Sequence, residues 1–165
     1  RLTIGKKKYA DVQDLAEETV KQADRLKEIL TEIIDRDTES FNAVSAVFSM
    51  PKETDEEKAA RKAAMQEALK LCTVTPLEMM RSGYEGLLLI EKAAGKLNLT
   101  AASNIGCAVL GFRSCVYGAW LNVLINIAGI TDEAYAAKCR TEGEEIIGKA
   151  TVLADGLYEK VKSLI

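Results

Sequence analysis

The chain contains no histidine. That excludes the Ser-His-Asp and Cys-His nucleophile systems and any His-ligated zinc site. A general acid or base must then be a carboxylate, a lysine, a tyrosine or a cysteine. The four cysteines, Cys72, Cys107, Cys115 and Cys139, form no Cys-x-x-Cys pair, so no metal site is expected. Three of them lie in apolar helical surroundings and read as small hydrophobes kept reduced in a cytoplasmic protein. No secretory leader is recognisable at Arg1. Aromatic residues make up only 5% of the chain and there are 2 prolines. The net charge of −3 offers no basic face for nucleic acid.

What is present is apolar and helix-forming. Hydrophobic residues make up 48% of 165 positions, enough for one domain, 1–165, with a core of its own. Asp11 is placed to cap a first helix that runs to about Met50, where Pro51 stops it. Thr54-Asp55-Glu56-Glu57 reads as a capping box opening a helix to Leu71, and Thr75-Pro76-Leu77-Glu78 as a second one opening a helix to Ala94. Gly95–Thr100 reads as a loop. Ala101–Ile127 is almost unbroken apolar sequence, long enough for a membrane span, but Asn104, Arg113, Asn122 and Asn126 interrupt it. Its small residues, Gly106, Gly111, Ser114 and Gly118 among them, suit the buried central helix of a bundle or a subunit interface. A last helix follows the Thr131 cap. The expectation is an all-α fold: a single antiparallel bundle of about five helices around a buried small-residue helix.

One carboxylate is out of place in this pattern. At about 100° per residue, Leu30, Ile33, Phe41, Val44 and Phe48 fall within about 40° of Asp37. Asp35 points roughly 200° away from Asp37 by the same count, toward solvent. A carboxylate on an apolar stripe needs a partner, a raised pKa or a ligand. Asp37 is therefore the candidate catalytic residue.

Several stretches in order then resemble one family: Leu2-Thr3-Ile4-Gly5-Lys6-Lys7-Lys8-Tyr9; Asp35-Arg36-Asp37-Thr38-Glu39-Ser40-Phe41-Asn42-Ala43 with Met50-Pro51-Lys52; Glu56 to Lys62; Thr73 to Leu77; and Gly118-Ala119-Trp120-Leu121-Asn122 to Asn126. The chain resembles the cyclodeaminase domain of formiminotransferase-cyclodeaminase and its stand-alone bacterial relatives, the methenyltetrahydrofolate cyclohydrolases. It departs from them in lacking the glycine-rich start and small-residue helix, and in carrying Ser103-Asn104 where the family has Ser-Asp.

The resemblance implies a homodimer or higher assembly acting on a tetrahydrofolate derivative, possibly polyglutamylated, with no other cofactor and no membrane or nucleic-acid partner. It puts the catalytic acid/base on Asp37. The expected reaction is a lyase step, closure of 5-formiminotetrahydrofolate to 5,10-methenyltetrahydrofolate with loss of ammonia. The alternative is a hydrolase step, opening of the methenyl bridge to 10-formyltetrahydrofolate. An inactive helical scaffold is the alternative of another class. Asn122 and Asn126 are candidates for amide contacts to the polar rings, with Asn104 on the same face of the apolar helix. Arg113 or the turn containing Lys6 and Lys7 is a candidate for the anionic glutamate tail. Arg113 could instead neutralise Asp37.

Overall fold

The computed structural model describes residues 1–165. Four long helices follow a short 3₁₀ turn at Lys7–Val12: α1, Gln13–Phe48; α2, Asp55–Ala93; α3, Ala102–Ile127; and α4, Glu133–Lys162. The all-α expectation holds, but the count is four rather than about five. The predicted break between Leu71 and Thr75 does not occur, and α2 runs through it with Pro76 inside the helix. A proline can begin a helix because its missing N–H is not needed there; inside a helix it leaves the carbonyl four residues back without a partner. Here a side chain from α3 supplies that partner, as described below.

The caps explain most of the ends. Thr54 forms the predicted capping box: its hydroxyl accepts from Glu57 N at 3.2 Å, and the Glu57 carboxylate accepts from Thr54 N at 3.1 Å. Gly95, at φ +82°, ends the α2 excursion in the left-handed conformation that glycine adopts at little cost. At the start of α4 the cap is Asp132 rather than Thr131; its carboxylate accepts from Tyr135 N at 3.0 Å.

Successive helices are antiparallel. Arg61 meets the Val47 carbonyl and Arg25 pairs with Glu85, which fixes α1 against α2. Arg113 meets Asp155 and Tyr117 meets Thr151, which fixes α3 against α4. The helix at the centre is α2, which packs against all three others, while α1 touches only α2 among the long helices. This corrects the expectation that the small-residue helix α3 is buried all round. Val109, Val116, Ala119, Val123 and Ile127 of α3 are buried against α2 and α4, but Leu110, Leu121 and Ile125 on its other side are exposed. The core joins α2, α3 and α4 around Met80, Leu87, Val116, Val123 and Ala150, all completely buried.

The tightest approaches are likewise not at the glycines of α3. Gly111 and Gly118 face open space. The close contacts are at Gly86 of α2, under the Phe112 ring, and Gly143 of α4, under the Trp120 indole. At both, α3 supplies the aromatic ring and its neighbour the glycine.

Candidate functional site

Helix α1 buries a narrow seam: Leu26, Ile33, Ser40 and Val47, seven residues apart, lie against α2. A second row at the same spacing, Ile34, Phe41 and Phe48, is 63–64% exposed. Asp37 lies between the two rows. Counted from Asp37 at about 100° per residue, the buried row spans roughly −20° to −80° and the exposed row roughly +20° to +60°. The apolar stripe predicted around Asp37 is thus real, but only half of it is covered, because α1 has a single long neighbour. Asp37 is exposed at the mouth of a pocket rather than buried.

That pocket has a volume of about 230 Å³ and is lined by Ile33, Ile34, Asp37 and Thr38 of α1, Thr75, Pro76 and Met79 of α2, and Asn122 of α3. Asp37 has no ion-pair partner. Its neighbours turn elsewhere: Arg36 pairs with Glu78 at 2.5 Å, and the Thr38 hydroxyl donates to the Ile34 carbonyl at 3.1 Å. The Asn122 amide donates to the Gly118 carbonyl at 3.1 Å, which leaves its side-chain oxygen free to accept. Beneath the pocket floor lies a small polar cluster. The Cys72 thiol donates to the Ser40 carbonyl at 3.1 Å, and the Ser40 and Thr75 hydroxyls lie 3.4 Å apart. Burial, and then the Asp37 charge, hold the Cys72 thiol above its ordinary pKa.

The remaining predicted site residues lie elsewhere. Arg113 does not neutralise Asp37: it pairs with Asp155 at 2.9 Å and stacks on the Tyr117 ring, because its side of α3 faces α4. Asn104 is exposed in the first turn of α3, 18 residues and so roughly 27 Å along the helix from Asn122. Lys6 and Lys7 are exposed before the start of α1, roughly 35 Å or more from Asp37 along that helix. Asn126 is one turn beyond Asn122 but does not line the pocket; its amide donates to the Cys72 carbonyl at 2.7 Å. Of the predicted set, the structure brings Asp37 and Asn122 together.

A larger groove of about 500 Å³ adjoins this pocket at Ile34 and runs between α1 and α3 over α2. Leu26, Leu30, Leu89, Ile90, Ile105 and Phe112 make it apolar, and Lys27 is the only charged residue along it. It holds no carboxylate; Asp37 lines the smaller pocket. Lys27 had no distinguishing signal in the sequence, since it is one of many lysines on helical surfaces.

The fold and the cleft define a class: an all-helical domain with a pocket between three helices, lined by apolar side chains together with the unpaired Asp37 carboxylate and the Asn122 amide. The family model for formiminotransferase-cyclodeaminase matches residues 1–145. The chain is 42% identical over 164 residues to a methenyltetrahydrofolate cyclohydrolase of Methylorubrum extorquens, a match covering 99% of this chain and 79% of that one. It is 29% identical over 134 residues to the formimidoyltransferase-cyclodeaminase of Sus scrofa, covering 81% of this chain but only 25% of the relative's length. The fold matches the crystal structure of formiminotetrahydrofolate cyclodeaminase from Thermotoga maritima with a TM-score of 0.77 at 26% identity, over 99% of this chain and 75% of that one. The chain belongs to the formiminotransferase-cyclodeaminase family.

Proposed function

We propose that this protein is a folate one-carbon enzyme that opens the methenyl bridge of 5,10-methenyltetrahydrofolate to give 10-formyltetrahydrofolate, with Asp37 as the acid/base. The observation that carries the proposal is the Asp37 carboxylate, free of any ion pair and lining the same pocket as Asn122. The 42% identity to a methenyltetrahydrofolate cyclohydrolase favours this hydrolytic reading over ring closure with loss of ammonia. The second reading keeps its support in the likeness to the Thermotoga maritima and Sus scrofa proteins.

In the hydrolytic reaction, Asp37 takes a proton from water as the water oxygen attacks the cationic carbon between N5 and N10. The tetrahedral carbon then collapses. Its hydroxyl loses a proton to become the formyl oxygen, the carbon–N5 bond breaks, and Asp37 returns a proton to N5. The net products are 10-formyltetrahydrofolate and one proton. The exposure of Asp37 suits this role, because water must reach it. In the closure reaction the same carboxylate would take the N10 proton and protonate the departing amine.

The pocket is smaller than the roughly 300–1,000 Å³ that encloses a ligand of folate size. The adjoining groove extends the apolar surface. Lys27 lies ten residues before Asp37, roughly 15 Å along α1. That span suits a ligand with its reactive nitrogens at Asp37 and its anionic tail at Lys27, and makes Lys27 a better candidate for the tail than Lys6, Lys7 or Arg113. The exposed rows on α1 and α3 support self-association across the face that flanks the pocket.

The test is the absorbance of the methenyl chromophore. Faster loss than in buffer alone supports hydrolysis. Faster appearance from 5-formiminotetrahydrofolate supports ring closure. No acceleration of either contradicts the proposal.

A further inference from the structure

Pro76 is buried in the middle of α2. It has no N–H, so the Cys72 carbonyl, four residues back, cannot be satisfied by the helix that contains it. A buried carbonyl without a partner is costly. The donor comes from another helix: Asn126 Nδ2 of α3 reaches the Cys72 oxygen at 2.7 Å. This bond anchors the turn in which Cys72 holds the Ser40 carbonyl of α1, and Thr75 meets the Ser40 hydroxyl. The same turn supplies Thr75, Pro76 and Met79 to the pocket wall, and Asn122 sits one turn from Asn126 on α3. The Asn126 amide thus ties α3 to the α2 turn that Cys72 and Thr75 in turn tie to α1, and side chains of these three helices make the site.

We infer that Asn126 is a positioning residue of the Asp37 site: it occupies the hydrogen bond that Pro76 leaves open and so holds the α2 wall against Asp37 and Asn122. The inference rests on the reading of this pocket as the reaction site. It differs from a direct contact between Asn126 and the ligand in one respect. Restoring the helix's own N–H at position 76 should make Asn126 dispensable.

The experiment is a double-substitution cycle of Asn126→Leu and Pro76→Ala in the full chain. In the Pro76 background, Asn126→Leu should lower kcat for methenyltetrahydrofolate by about ten- to a hundredfold, the scale of a misplacement near 1 Å, with KM changed by less than about twofold. It should also speed amide hydrogen exchange in the turn after Pro76. In the Pro76→Ala background both effects should largely vanish, because the alanine N–H reaches the Cys72 carbonyl. Asn126→Asp keeps the size and removes the donor; activity that rises relative to that of the unsubstituted protein at the same pH as the pH is lowered, when the introduced carboxyl regains a proton to donate, supports the same account. Equal penalties in both backgrounds, or unchanged kcat and exchange in Asn126→Leu, would overturn it. If Asn126→Leu fails to fold alone, the account requires that the double variant fold. Failure of the reaction reading shows differently, as absence of turnover by the unsubstituted protein.

Discussion

Arg113 pairs with Asp155 on α4 at 2.9 Å, and Asp37 is left without an ion-pair partner. If Arg113 had been the partner of a buried Asp37, removing the carboxylate charge would have stranded it at a cost of several kcal/mol. In the observed arrangement Asp37→Asn strands nothing. The expected change in stability is within about 0.5 kcal/mol, the range of an exposed substitution. Arg113→Ala should cost about 0.2–1 kcal/mol, since its ion pair is partly exposed. Chemical denaturation of both variants checks these values.

The Trp120 indole covers Gly143 so closely that an added Cβ would lie 2.1 Å from the ring. Gly143→Ala should therefore destabilise the protein by roughly 1–3 kcal/mol, as an overpacked core does. Gly156→Ala, on the same helix with open space around it, should be neutral or stabilising by up to about 1 kcal/mol. Thermal melts of the two variants should move in opposite directions, or only the first should move.

The Asp132 cap gives a pH dependence with a definite sign. The bond from Tyr135 N, and then Lys70, hold its carboxyl below the ordinary value of 3.8. A carboxyl depressed in the folded state favours folding above its unfolded pKa, and that contribution is lost as the pH falls through the folded value. Stability from this group should thus be full above about pH 5 and decline below pH 4. Asp132→Asn keeps a capping oxygen and should flatten that part of the pH profile in denaturant titrations.

Much of this architecture was legible in the sequence. The Thr54 capping box, the turn at Gly95 and the long α3 follow from local rules that the structure obeys. Asp37 was legible because periodicity places it on an apolar stripe. Its exposure was not, because periodicity says which residues share a face and not how much of that face a neighbour covers. The extra helix came from reading Thr75-Pro76 as a start signal, when the Asn126 amide, 50 residues away in the chain, lets the helix continue through Pro76. The spread of Asn104, Arg113, Lys6 and Lys7 away from the pocket likewise depends on long-range packing.

The row Ile34, Phe41 and Phe48 leaves an apolar strip on α1 beside the pocket. Self-association across this face predicts that Phe48→Lys lowers the apparent mass in light scattering while its circular dichroism stays helical. An unchanged mass would place any assembly elsewhere.

The most direct test of the central claim is the initial rate of methenyl absorbance loss for the unsubstituted protein and for Asp37→Asn, at equal folded concentration. The account predicts acceleration over buffer in the first and a loss of roughly a hundredfold or more in the second, the scale of a general acid/base contribution. A folded Asp37→Asn protein that retains the original rate would contradict it.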